Sequence, residues 1–210
     1  MDCTDCTCLV RPDTLPVAAT CRAEGLLAVV LDAPTGAEPR RTALDGVAGE
    51  VLAATLRSVA RYADPGRTHT DVLDDVGLFY AVARPVPGGK APNVASLRNC
   101  HDRLIAELDA ARPRAVLSIG AASCSSLAWA TAPLRDYRGQ MRWLDLPSGR
   151  VPWVATVSPG AVARSPDLYR DLSYDVLKAW AQPAPEEPPR VVLLTHADIV
   201  RRLRARSGRG

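Results

Sequence analysis

From Leu26 to Trp180, short unbroken apolar runs alternate with stretches of helical periodicity, and this alternation limits the possible folds more than any other feature. Leu26-Leu27-Ala28-Val29-Val30-Leu31 has no polar face, so a strand formed there must be buried on both sides. It ends in the turn sequence Asp32-Ala33-Pro34-Thr35-Gly36. Between Leu44 and Tyr62, Val47, Val51, Leu52, Leu56 and Val59 recur at helical spacing. Val76 to Val82 reads as a second strand, 84 to 93 as a Pro/Gly loop, and Leu97 to Leu108 as a second helix. Ala115 to Gly120 is a third strand leading into a helix that reaches about Ala130. Met141 to Leu146 and Val151 to Thr156 resemble paired strands around Pro147-Ser148-Gly149, and Leu168 to Trp180 is amphipathic. Such alternation predicts a three-layer α/β/α sandwich with a mostly parallel central sheet and its functional site at the carboxyl ends of the strands.

A length of 210 residues suits one domain with a short appendage. With 47% apolar and 23% charged residues, the chain is neither disordered nor collagen-like. It has no apolar run of membrane-spanning length, and Met1 to Cys6 lacks the basic and then apolar regions of an export signal, so a cytoplasmic protein without membrane contact is expected. Aromatic residues make up only 5%, which argues against base-stacking surfaces built from many rings. The net charge of +3 is unevenly placed: residues 1 to 182 carry 20 basic and 20 acidic side chains, so the whole excess lies beyond Pro183. Residues 1 to 181 therefore form the expected domain, 182 to 190 a stiff proline-rich linker, and 191 to 210 a basic arm with a short strand at Val191 to Leu194 and a helix at Ala197 to Arg206. Arg201, Arg202 and Arg204 suit a phosphate backbone; a solvated helix or a protein-partner contact is the blander use of the same charge.

Cys3, Cys6, Cys8 and Cys21 cluster in the first tenth of the chain, with Cys100 and Cys124 far away. Without an export signal, such clustering favours metal ligation over a disulfide framework, and a thiolate-only donor set favours an iron–sulfur cluster or zinc. A buried thiol is the simpler reading of Cys124, which sits in the small-residue stretch Ala121 to Ser126.

Three loops, Asp32 to Gly36, Arg84 to Lys90 and Thr156 to Gly160, follow apolar strands, so a parallel sheet would bring them to one edge. Asp32 is placed to orient a water as a carboxylate base, although capping a turn or helix is the commoner use of such an Asp. Pro87-Gly88-Gly89-Lys90 lacks the leading glycine and the hydroxyl residue of a phosphate loop.

In order and spacing, several segments resemble the uracil-DNA glycosylase superfamily, in particular its iron–sulfur-containing family 4. They are Cys3-x-x-Cys6, Val30-Leu31-Asp32-Ala33-Pro34-Thr35-Gly36, and Ala43 to Leu52. Tyr80 to Pro87, Cys100, Pro113 to Ala122, Tyr137-Arg138-Gly139 and Thr156 to Pro166 continue the pattern. The resemblance implies a DNA-binding hydrolase of the N-glycosidic bond to a damaged or modified base. In it Asp32 would position water and Ser158 would face the leaving base. Ala33, Pro34, Gly36, Leu44, Tyr80 and Arg164 would line the base pocket, while Arg138 and Gly139 would contact DNA. A four-cysteine iron–sulfur cluster is implied at Cys3, Cys6, Cys100 and either Cys21 or Cys8, with zinc as the alternative metal.

The chain departs from the family's pattern where chemistry is done. Leu44 replaces the Phe that stacks on the flipped base, and Tyr80 (or Phe79, if the gap is placed differently) replaces the Asn that reads its edge. Ser158 replaces the His that stabilises the departing anion, Asp32 replaces a Glu, and Ala83 stands where a ligand cysteine belongs. Loss of one such leaving-group donor typically costs about 10²–10³ in rate. Two other functions stay open: a catalytically impaired protein of the same fold that binds DNA or a protein partner, and an enzyme acting on free nucleosides or nucleotides.

Overall fold

The computed structural model describes residues 27–34, 46–65, 72, 75–130 and 133–181. The N-terminal cysteines, Gly36, Leu44, the linker and the basic arm lie outside the described residues. Five strands form one sheet: β1 (Leu27–Leu31), β2 (Val76–Tyr80), β3 (Ala115–Ile119), β4 (Met141–Leu146) and β5 (Gly149–Thr156). Their order is β2-β1-β3-β5-β4. All pairings are parallel except β4 with β5, a hairpin whose antiparallel register sets Met141 opposite Val154 and Leu146 opposite Gly149. The expected mostly parallel sheet between helical layers is therefore the observed architecture.

The continuous apolar runs match the burial of β1, β2 and β3, each of which is covered on both faces. Leu27, Val29, Leu78, Leu117 and Val154 point to one side, packing with α1 (Gly46–Ala63), α4 (Pro159–Arg164) and α5 (Leu168–Ala181). Ala28, Val30, Phe79, Val116 and Trp153 point to the other, against α2 (Val94–Ala111) and α3 (Ala121–Ala128). Each fully buried Val, Leu or Phe stabilises the fold by about 1.5–3 kcal/mol relative to an exposed one. The helices supply the matching stripes: Leu52, Leu56, Val59 and Ala60 on α1, and Leu97, Cys100, Leu104 and Leu108 on α2, recur at three- and four-residue steps.

Helix boundaries follow local chemistry. α2 begins three residues earlier than its apolar spacing suggests, because the Asn93 side chain accepts from Ser96 N at 2.8 Å and caps it. α4 forms where a loop was expected. Its N-cap is Ser158, whose Oγ accepts from Ala161 N at 3.2 Å, and Pro159 occupies the first turn, where its missing N–H costs nothing. No helix among the described residues is long and apolar enough to cross a membrane.

Candidate functional site

The chain leaves β1 toward β2 on one side, whereas β3 pairs with β1 on the other, so the strand order reverses between β1 and β3. In sheets of this kind ligands commonly bind at the carboxyl end of such a switch point. Asp32, the first residue after β1, stands at that end. Its Oδ1 accepts from Ser123 N at 2.7 Å, in the first turn of α3. α3 thus takes its cap from a residue 91 positions away, because Gly120 at its own N-cap has no side chain to offer.

Gly120 is required in two ways. Its φ of +103° belongs to a region nearly closed to L side chains, and a Cβ there would stand 2.5 Å from Asp32 Oδ2. Burial of the half-exposed Asp32 pushes its pKa up, partly offset by hydrogen bonds from Ser123 and the Ala122 backbone. A carboxyl held at a helix start, yet desolvated enough to prefer its proton more than usual, has the electrostatics of a tuned acid or base.

Ser158 follows β5 at the same edge of the sheet, about 10 Å from β1 because β3 lies between them. Its oxygen caps α4 while its O–H remains able to donate. Arg164 extends from the exposed last turn of α4, with Nη1 3.8 Å from where a Cβ on Gly160 would sit, so its guanidinium folds back toward the first turn. Ala33 and Pro34 are half-buried, and Ala33 packs on the α2/α3 side of the sheet.

Tyr80 is buried at the end of β2, in register with Leu31. In-register residues of parallel strands point to the same face, so Tyr80 projects toward the α1 layer and Asp32, one residue beyond Leu31, toward the α3 layer. Burial pushes the Tyr80 phenol pKa up, and its carbonyl accepts from Arg103 Nη2. Phe79, the other candidate for this role, is a core residue only 1% exposed.

Arg138 and Gly139 lie beside α5. Arg138 Nη1 is 2.9 Å from Asp171 Oδ2 and 3.7 Å from Asp175 Oδ2. Thr156 Oγ1 donates to buried Asp175 Oδ2 at 2.9 Å, and Lys178 Nζ donates to the Gly139 carbonyl. Arg138 therefore locks α5 against the end of β5, a use that its sequence motif does not reveal.

Of the proposed metal ligands only Cys100 is described. It is buried in the apolar stripe of α2. Among the described residues no group of three or more His, Cys, Asp or Glu side chains gathers to hold a metal. Cys124 is fully buried, with its thiol pKa pushed up to about 11, as expected of an inert core thiol.

Ser123, Gly120 and the Asp175 cluster escape sequence reading because each is defined by a contact across the fold; the glycine between an apolar strand and a helix was the one local signal available. Comparison with known proteins adds no assignment, since neither a family model nor a curated protein matches the chain.

Proposed function

We propose that the protein is a DNA glycosylase-like enzyme that hydrolyses the N-glycosidic bond of a damaged or modified base, with Asp32 positioning the water. The observation that supports this most is the Asp32 carboxylate at the strand-order switch, tethered through Oδ1 to α3 and packed closely over Gly120. A base extruded from the helix would enter at the carboxyl edge. Water would add to C1′ as the bond to the base nitrogen breaks. The base leaves with the bonding electrons, and Asp32 takes the proton. Ser158 O–H and the Arg164 guanidinium supply hydrogen bonds to the departing base in place of an imidazole.

The cluster implied by the family resemblance would be held by Cys100 with Cys3, Cys6 and Cys21 or Cys8, as an element tying the N-terminal segment to α2; no step of the hydrolysis passes through it. Iron or zinc bound in stoichiometric amount and lost in Cys100→Ser supports that site, and protein free of both metals removes it.

The second reading, a DNA- or partner-binding protein without catalysis, draws on the fact that both Asp32 and Ser158 serve as helix caps, a role that would hold them in place without chemistry. Incubation with duplexes carrying uracil, hypoxanthine, xanthine or hydroxymethyluracil, followed by alkaline cleavage at abasic sites, separates the two. Base release that is lost in Asp32→Asn supports the enzyme. Retarded DNA mobility with no release from any duplex supports the binding protein, and release from free nucleosides but not from DNA would replace both with a small-molecule hydrolase.

A further inference from the structure

A second concave surface lies away from Asp32. It is an open groove of about 990 Å³ that starts between α2 and the end of α3 and wraps around the edge strand β4: His101, Trp129, Tyr137 and Arg142 line it on the α2/α3 face of the sheet, and Trp143 and Arg150 on the other. Three of the four tryptophans line it, since Trp153 forms part of its floor. The low aromatic content therefore misleads as an average, because the rings are concentrated in one place.

Two of these rings are presented outward. Trp129 is 62% exposed and Trp143 39%. Trp129 is moreover the C-cap of α3, in the left-handed conformation at φ +50° and ψ 32°, where glycine is the cheap choice. A bulky residue held there at a cost in strain, with most of it still exposed, points to a use for the ring beyond its packing. His101 stacks against it with centroids 4.2 Å apart, and His101 Nδ1 donates to the Ser126 carbonyl at 3.0 Å, which fixes the wall of the groove.

Cations flank the rings. The Arg142 guanidinium lies 4.3 Å over Tyr137 and that of Arg150 5.3 Å over Trp143. Arg142 Nη2 donates to the Asp136 carbonyl at 3.1 Å and to Gln140 Oε1 at 2.7 Å, both exposed contacts, which hold the guanidinium beside the groove. Arg150 is paired with Asp145 at 2.9 Å, but both side chains are exposed, and such a pair is weak enough to exchange for a phosphate. The lining thus sets two guanidiniums against one carboxylate. Exposed ring faces interleaved with arginine match the chemistry of unpaired bases on a phosphate backbone rather than that of an apolar peptide face.

We propose that this groove binds single-stranded DNA, with bases stacked on Trp129 and Trp143 and phosphates held by Arg142 and Arg150. Because β4 runs antiparallel to β5, its first residues lie beside the carboxyl end of β5, so one end of the groove is turned toward the sheet edge that carries Asp32. The choice of DNA over RNA rests on the hydrolase reading; the groove itself does not, because its readout is binding alone.

The test is anisotropy of a labelled oligothymidylate with the full-length protein, repeated across a salt titration, alongside thermal melts. Trp129→Gly should leave the melting temperature equal or higher, by relieving the left-handed strain, yet weaken binding about tenfold. Trp143→Ala should weaken binding to a similar extent, and Asp145→Asn should tighten it. The tryptophan effects should persist at high salt, where contacts made by charge alone fade. No binding by the parent protein, unchanged affinity in both tryptophan variants, or a groove closed by dimerisation of the chain would overturn the proposal. Tighter binding of RNA of the same sequence would overturn its DNA assignment, whatever the outcome of the base-release assay.

Discussion

Asp32 caps α3 while burial raises its pKa, and the two facts predict different behaviour for its two simplest replacements. A raised pKa means that the folded protein prefers the protonated carboxyl more than the unfolded chain does. Ionising Asp32 therefore costs stability as pH climbs from the ordinary value of 3.8 through the raised one. Asp32→Asn keeps an acceptor for Ser123 N and carries no charge. Its melting temperature should match or exceed the parent's at neutral pH, with the advantage vanishing in acid, even as base release is lost. Asp32→Ala leaves that N–H without its acceptor and should be about 1 kcal/mol less stable than the asparagine variant. The acid limb of the parent's rate profile should likewise lie above the usual carboxylate range, because the water-positioning form is the ionised one. Gly120→Ala is the severe change at this site: the backbone alone costs about 1–3 kcal/mol, and the added Cβ displaces Asp32. Chemical denaturation of the four proteins at two pH values checks the series.

At the scale of elements, α5 is held to the sheet by a charged cluster as well as by its apolar face of Leu172, Val176, Ala179 and Trp180. Burial raises the pKa of Asp175, while the Thr156 hydroxyl, Arg138 and Lys178 pull it down. Arg138→Ala removes one of those opposing cations, so the Asp175 pKa climbs further and its charged form becomes a burden. The variant should lose about 1–3 kcal/mol at neutral pH. The loss should shrink as pH falls and Asp175 protonates, a trend that urea melts between neutral and mildly acidic pH would display. A residue used only for DNA contact would show neither effect. The same cluster shows where sequence reading stops. Strands β1 to β3 were legible because burial on both faces writes itself as an unbroken apolar run, and α1, α2 and α5 because a stripe repeats every three to four residues. α4 was not, since six residues are too few to show a period and its Ser-Pro start reads equally well as a turn. Asp32 could be placed at a strand end, but its partner Ser123 could not, because nothing local encodes a contact across 91 positions. The groove was hidden for a related reason: its rings come from α3, β4, β5 and the segment before β4, and composition counts rings without locating them.

For the whole molecule, if the proposed DNA binding holds, the distribution of charge decides how its contacts divide. Residues 1 to 182 are balanced, so long-range attraction to a phosphate backbone falls to the six arginines beyond Pro183, whereas the groove offers stacking with only two local cations. These contributions differ in their response to salt. Each phosphate neutralised on duplex DNA adds about 0.9 to the log–log slope, while base stacking adds almost nothing. Removing residues 183 to 210 should therefore weaken duplex binding and flatten its slope, and should leave the effect of Trp129→Gly on single strands unchanged in ratio. The domain should stay folded, because Ala179 and Trp180, the last buried residues among those described, precede the cut. The outer side of β4 pairs with no strand among the described residues. If Val191 to Leu194 covers that edge, truncation would expose it and the shortened protein would aggregate, which sedimentation would reveal. A soluble truncated protein with an unaltered salt slope would show instead that the arm makes no phosphate contact, and would assign the excess charge to a protein partner or to solubility.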